Sequence, residues 1–265
     1  MASLSIVTFN IRYANPDDGI NFVPSRLPLI VEKLRTSKPD VVGFQEFSNE
    51  MLDTLQPLLP EYILVYAGRM ADRLGEGLAF LVRKETICLQ GFDHYWLSST
   101  PSIPASRYEN SDQSALPRVM QRGLFVHKST AFPPFRIYNL HTDHVGAEAR
   151  CLELAQTVEQ MRNDYDTDHL PFLLMGDLNA APDSKEIAVI RNSNLPLSDL
   201  TKKFTVTFHG FFKASVPQQK IDYIFASPEW QAEEVRLWTD TRDGRYLSDH
   251  HPIEAKLTLS TDHHI

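Results

Sequence analysis

The chain has 265 residues, 42% of them hydrophobic and 23% charged, the makeup of a globular protein that buries a large core, which excludes extensive disorder. A formal net charge of -8 and a pI near 5.7 argue against a broadly basic surface that would grip many nucleic-acid phosphates at once. Cys88 and Cys151 sit in apolar periodic segments and read as buried free thiols; with no leader-like opening and no membrane-length run, the expectation is a soluble cytoplasmic protein, or a secreted one if a leader has been removed.

In chain order, residues 4–10 alternate as a strand, and 26–35 place Leu27, Ile30, Val31 and Leu34 on one side of a helix. A strand follows at 40–45. Met51, Leu52, Leu55 and Leu58 give 49–58 a helical period, and 62–66, 78–82 and 86–96 read as strands. Residues 97–117, rich in Ser, Pro and Asn, have no period and predict a long loop of the kind that often serves function. Strands resume at 119–127 and 135–140. The helix at 146–161 is expected to bury Leu152, Ala155, Val158 and Met161, and 172–175 is a short apolar strand. Later strands are predicted at 204–208, 221–226, 234–239 and 252–259, and the tail at 261–265, with its two histidines, is expected to fray. Neither a linker-like stretch nor a repeat interrupts the series, so residues 1–265 read as one domain of two packed sheets with helices outside.

Polar residues gather where the apolar strands end, which is where a sheet scaffold presents a site. Asn10 closes the first strand and Glu46 follows an apolar run. His141 and Asp143 follow another, Asp177 and Asn179 a third, and Asp249 and His250 precede the last strand. Each alone has an ordinary explanation as a turn former, a helix cap or a hydrogen-bonded structural histidine. Their joint occurrence is what points to chemistry.

The ordered set Thr8-Phe9-Asn10-Ile11-Arg12, Gln45-Glu46, Asn139-Leu140-His141-Thr142-Asp143-His144, Gly176-Asp177-Leu178-Asn179, Ile221-Asp222-Tyr223 and Ser248-Asp249-His250-His251-Pro252 resembles the endonuclease/exonuclease/phosphatase superfamily, including its deoxyribonuclease I-like members. That resemblance implies a four-layer α/β sandwich, two mixed sheets flanked by helices, carrying a hydrolase of phosphoric esters. It further implies Glu46 as the main ligand of Mg2+, with Mn2+ as the alternative, and Asn10 and Asp249 close by, a donor set suited to a hard cation. Asp177 would take the proton of the attacking water, Asn179 would hold the phosphate or the water, His250 paired with Asp222 would donate to a phosphate oxygen, and His141 would serve the leaving oxygen with Glu76 as its partner.

Arg12, Arg118 and Arg150 flank these motifs and suit phosphate recognition. The segments around Trp96 and around His209 and Phe211 resemble a microbial branch of the superfamily with undefined substrates, which places those three near the substrate, with buried aromatic packing as the alternative. The leading expectation is a phosphodiesterase or phosphatase, with water attacking directly. The alternatives are a nuclease on short or single-stranded RNA or DNA and an inactive binding or scaffold module. The expected partner is a phosphorylated small molecule or single-stranded nucleic acid, with the chain acting as a monomer and no protein partner evident.

Overall fold

The structure is a computed structural model that describes residues 3–129 and 131–259; the tail whose fraying is expected lies outside them. Its elements run β1 (Leu4–Asn10), α1 (Val23–Ser37), β2 (Val41–Ser48), α2 (Asn49–Leu58), β3 (Tyr62–Gly68), β4 (Glu76–Arg83), β5 (Ile87–Trp96), β6 (Val119–His127) and β7 (Phe135–His141). There follow α3 (Ala147–Asp168), β8 (Phe172–Asp177), α4 (Lys185–Arg191), β9 (Ser198–Asp199), β10 (Asp222–Ala226), β11 (Trp230–Leu237), β12 (Thr241–Arg242), β13 (Arg245–Tyr246) and β14 (Ile253–Leu259). One six-stranded sheet has the order β11-β14-β1-β2-β4-β3, the other β5-β6-β7-β8-β10-β9.

Strand alternation divides the apolar residues among three layers of core. Leu4, Ile6 and Phe80 of the first sheet meet Ile137, Met175 and Ile224 of the second between the sheets. The opposite faces bury Val7, Phe9 and Phe44 beneath α1 and α2, and Tyr138, Leu174 and Tyr223 beneath α3 and α4. The result is a four-layer α/β sandwich. None of its helices is long and apolar enough to cross a membrane among the described residues.

Topology sends the polar strand ends to one rim. β1 runs parallel to β2, and β7 parallel to β8, so Asn10, the end of β2, His141 and Asp177 emerge together. Their antiparallel neighbours contribute starts rather than ends: Glu76 opens β4 opposite Ser48, and Asp222 opens β10 opposite Asp177.

Several expectations need correction. Residues 204–208 form no strand, because only Phe208 bridges, to Gln219 and His250, while the Thr207 hydroxyl accepts the N–H groups of Ile221 and Asp222 at 3.0 Å each. The buried stripe of α3 is Ala149, Glu153, Leu154, Thr157, Val158 and Met161, leaving Leu152 and Ala155 exposed; Glu153 turns inward because its carboxyl group accepts the Asp143 N–H at 2.8 Å. The thiols are free but not buried: Cys88 is exposed on the edge strand β5 and Cys151 is half-buried on α3. The short elements α4, β9, β12 and β13 have no counterpart in the predicted series because each is too brief to show a period.

Candidate active site

The rim encloses a cleft of about 450 Å³ lined by residues of both sheets. Below it a buried amide network ties the sheets together. The Gln45 side chain donates to Asn139 Oδ1 at 2.7 Å and to the Gly43 carbonyl, and Asn139 Nδ2 donates to the Phe44 carbonyl at 3.0 Å. Fully paired amides of this kind fix the spacing between two sheets that apolar packing alone would let slide.

Glu46 reaches the cleft because the β2–β4 register shifts between Phe44 and Phe47, and Glu46 itself takes a left-handed φ of 57°. A bulge re-aims a side chain in this way at a cost in backbone strain. Arg12 and Asn179 share that conformation, with φ of 62° and 45°. Gly176 precedes Asp177 with φ of 149°, where a Cβ would stand 2.0 Å from the Leu140 carbonyl oxygen; only glycine lets β8 lie this close to β7.

Around these backbone devices the polar groups converge on Asp177. Asn10 Nδ2 donates to Asp177 Oδ2 at 3.0 Å and to Glu46 Oε1 at 3.1 Å, and the Tyr13 N–H donates to Glu46 Oε2 at 2.9 Å. His250 Nδ1 stands 2.9 Å from Asp222 Oδ2, while His250 Nε2 and His141 Nε2 lie 3.8 and 3.5 Å from Asp177 Oδ2. The Asn179 N–H caps Asp177 Oδ1 at 2.9 Å, and one N–H of its amide is spent on the Thr142 carbonyl at 3.1 Å. Arg12 is forked onto Asp18 and lies 3.6 Å from Asp249.

Burial and neighbours set the charges. Burial together with the adjacent Asp222 pushes the Asp177 carboxyl up to about 7. Burial opposes a charge on His250, but Asp222, Asp177 and Asp249 outweigh it and raise the imidazole to about 10. Burial, then Arg118 and Arg69, hold His141 well below the usual histidine range, so it is neutral. Burial also acts against the Glu46 anion, yet the Tyr13 N–H, Arg12, His250 and Asn10 keep its carboxyl below normal. Asp249 and Glu76 are both raised, mainly by burial, with Glu46 adding to it.

Such crowding of buried carboxyl groups is what a divalent cation relieves, and the donors are mostly the hard oxygens that Mg2+ takes. Asp177, Asp222 and His250 offer ligand atoms within 4.8 Å of one another, a spacing that could hold a metal, although Asp222 already occupies His250 Nδ1.

The profile of the endonuclease/exonuclease/phosphatase family matches residues 7–250. The chain belongs to that family. No curated protein sequence matches it, but solved structures do. An endonuclease/exonuclease/phosphatase from Bacteroides vulgatus superposes with a TM-score of 0.88 at 27% identity, covering 98% of this chain and 100% of that one. A mannosyl-6-phosphatase of Bacteroides thetaiotaomicron gives 0.83 at 27%, covering 96% and 99%. The human Nocturnin catalytic domain, at 17% identity and 0.75, covering 97% and 94%, shares the fold.

Measured against the endonuclease/exonuclease/phosphatase motifs, the cleft gathers Arg12, Glu46, Glu76, Arg118, His141, Asp177, Asn179, Asp249 and His250, with Asn10 and Asp222 directly behind. Four expectations for the substrate side do not hold. Arg150 spends its guanidinium on Glu186, at 2.7 Å, and on the Asp143 carbonyl. Trp96 is buried, its Nε1 donating to the Arg69 carbonyl at 2.7 Å. His209 is buried against Phe212 and His251, its backbone N–H holding the Asp249 carbonyl, and Phe211 lies beside Arg26 rather than in the cleft. Glu76 lines the cleft, yet its hydrogen-bond partner is Arg69, not His141.

The sequence motifs miss Arg69, Phe208 and Arg26, and they include His144 without giving it a role. Phe208, not its neighbours in the same segment, packs on His250 with ring centroids 4.8 Å apart. Arg26, fully buried, donates to the carbonyls of Ile11 and Leu247 and so ties the exit of β1 to the segment that carries Asp249. An arginine at the start of an amphipathic helix gives no signal of this.

Proposed function

We propose that this single-domain, monomeric chain is a metal-dependent phosphoesterase that cleaves a small phosphorylated substrate by direct attack of water. The observation that carries the reading is Asp177, a carboxyl near 7 at the meeting point of Asn10, His141 and the His250–Asp222 pair. A base poised near neutrality can accept the proton of an attacking water, and no side chain placed to form a covalent phosphoenzyme is needed.

In this mechanism the charged His250, fixed by Asp222, donates from Nε2 to a non-bridging phosphate oxygen as negative charge grows there. Neutral His141, on the other side of Asp177, faces the leaving oxygen. Arg12 and Arg118 orient the phosphoryl group, and Asn179 positions it from the turn after β8. Glu46, with Asn10 and Asp249 beside it, would hold Mg2+ or Mn2+, preferred over the Asp222–His250 pair because a protonated imidazole has no lone pair to give. Bound there, the cation supplies neutralisation of phosphoryl charge and eases deprotonation of water.

A small substrate is supported by the cleft volume of about 450 Å³ and by the overall charge of -8, which disfavours a long polyanion. The similarity to a protein named as a mannosyl-6-phosphatase supports a sugar phosphate. The test is turnover of hexose 6-phosphates, p-nitrophenyl phosphate, bis-p-nitrophenyl phosphate and single-stranded RNA and DNA with Mg2+, Mn2+ or EDTA. Phosphate release from the small esters, abolished by EDTA and reduced at least about a hundredfold in His250→Ala, is expected. Faster cleavage of the nucleic acids would replace this reading with a nuclease, and no turnover at all would favour a scaffold.

A further inference from the structure

The lining of the cleft has two unlike parts. Asp177, Asp249 and His250 make up one, and Arg69, Glu76 and Arg118, beside His141, make up the other. In the second part Arg69 and Glu76 meet fork to fork, Nη1 to Oε1 at 2.7 Å and Nη2 to Oε2 at 2.9 Å. The pair is held from behind as well: the Arg69 N–H donates to the Glu76 carbonyl at 3.0 Å, and the Trp96 indole pins the Arg69 carbonyl. Both side chains are largely shielded, with 9% and 22% exposure, so the pair is a fixed wall rather than a surface ion pair in motion.

Every cation of the lining is already matched. Arg12 faces Asp18 and Asp249, Arg69 faces Glu76, Arg118 lies 3.5 Å from Asp143, and His250 faces Asp222. A second anionic group placed against the Arg69–Glu76 pair would therefore meet no uncompensated positive charge, whereas the reacting phosphoryl group would have the cation that Glu46 holds. A neutral hydroxylated group meets the opposite situation: an ion pair whose remaining guanidinium N–H groups donate and whose carboxylate lone pairs accept, the complement of adjacent hydroxyls that each do both.

We propose that Arg69 and Glu76 form a specificity subsite that binds neighbouring hydroxyls of a singly phosphorylated sugar and discriminates against a second phosphate. The proposal rests on the phosphoesterase reading of the cleft and assigns its substrate side. Trp96 is a positioning residue that acts through the Arg69 backbone.

The experiment compares kcat/KM with Mg2+ for a hexose 6-phosphate, a hexose 1,6-bisphosphate and p-nitrophenyl phosphate, using wild type, Arg69→Gln, Glu76→Gln and Trp96→Phe. Wild type should prefer the monophosphate sugar to the bisphosphate. Arg69→Gln and Glu76→Gln should raise KM for the sugar monophosphate so that its kcat/KM falls about tenfold further than that of p-nitrophenyl phosphate, the worth of one good hydrogen-bonded contact. Glu76→Gln, which leaves Arg69 uncompensated, should also move the preference toward the bisphosphate, and Trp96→Phe should give a smaller shift in the direction of Arg69→Gln. A misfolded fraction lowers all three substrates equally, so the ratios are immune to it. Equal losses on sugar and aryl phosphate, or a wild type that prefers the bisphosphate, would overturn the subsite while leaving the phosphoesterase reading intact. A wild type inert on every phosphoester would overturn both.

Discussion

The two parts of the cleft lining are built differently, and the contrast explains what each can do. The Asp177 part is made of strand termini from both sheets, its side chains buried, fixed by backbone devices at Glu46, Gly176 and Asn179 and by the amide network below. The Arg69 part is made mostly of connections: the β3–β4 turn, the last residues of the 97–117 loop and the segment after β7, with Glu76 added from the first position of β4. Rigid strand ends suit reacting groups that must hold position closely, while loops suit the part of a site that selects substrates.

Removing a group from the strand-end wall should have the largest effect. Glu46→Ala is expected to lower kcat/KM at least about a hundredfold and to cancel the rise in Tm that Mg2+ gives the wild type, read by thermal melts with and without the ion. A melt that still responds to Mg2+ would move the metal site elsewhere. Next is Thr207→Val, which leaves the N–H groups of Ile221 and Asp222 unpaired in a buried setting. At about 1–3 kcal/mol for each, Tm should fall by roughly 5 °C or more, with kcat reduced as Asp222 loses its anchor.

The loop wall has its own buried support, and it should respond to pH instead. Glu153 lies beneath Asp143, and burial pushes its carboxyl up to about 8. Its folded value is above the unfolded value of about 4.3, so the unfolded chain releases the proton first and stability falls as pH rises from about 4.3 to 8. Glu153→Gln keeps an acceptor for the Asp143 N–H and removes that titration. Its Tm should therefore gain on the wild type between pH 5 and 8, and a constant gap across that window would show that Glu153 does not titrate there. The smallest effect is expected far from either wall: Arg242→Ala breaks an exposed pair with Glu32 and should cost under about 0.5 kcal/mol in denaturant unfolding.

The same contrast governs how much could be read in advance. The strand-end wall was legible because its residues sit in short motifs, each directly after or before an apolar strand, and topology needs only to bring those ends to one rim. Regular elements were legible for a similar reason: 49–58 and 119–127 carry a clean period, and α2 and β6 have those bounds. The loop wall was not. Arg69 gains its place from a turn between β3 and β4, and no local pattern marks a guanidinium that will meet Glu76 seven residues on. Trp96 and His209 were misplaced because an aromatic residue or histidine near a motif looks the same in sequence whether it touches substrate or packs beneath the residue that does. Likewise, Thr207 lies in a strand-like pattern, and its hydroxyl takes the backbone N–H groups that fix Asp222.

The central claim, that Asp177 takes the proton of the attacking water, is tested most directly by Asp177→Asn. The amide keeps the size of the group but cannot accept that proton. With Mg2+ present and the fold verified by circular dichroism, kcat on a hexose 6-phosphate should fall at least about a hundredfold, with a smaller change in KM. An Asp177→Asn enzyme within a few fold of wild type would contradict the mechanism.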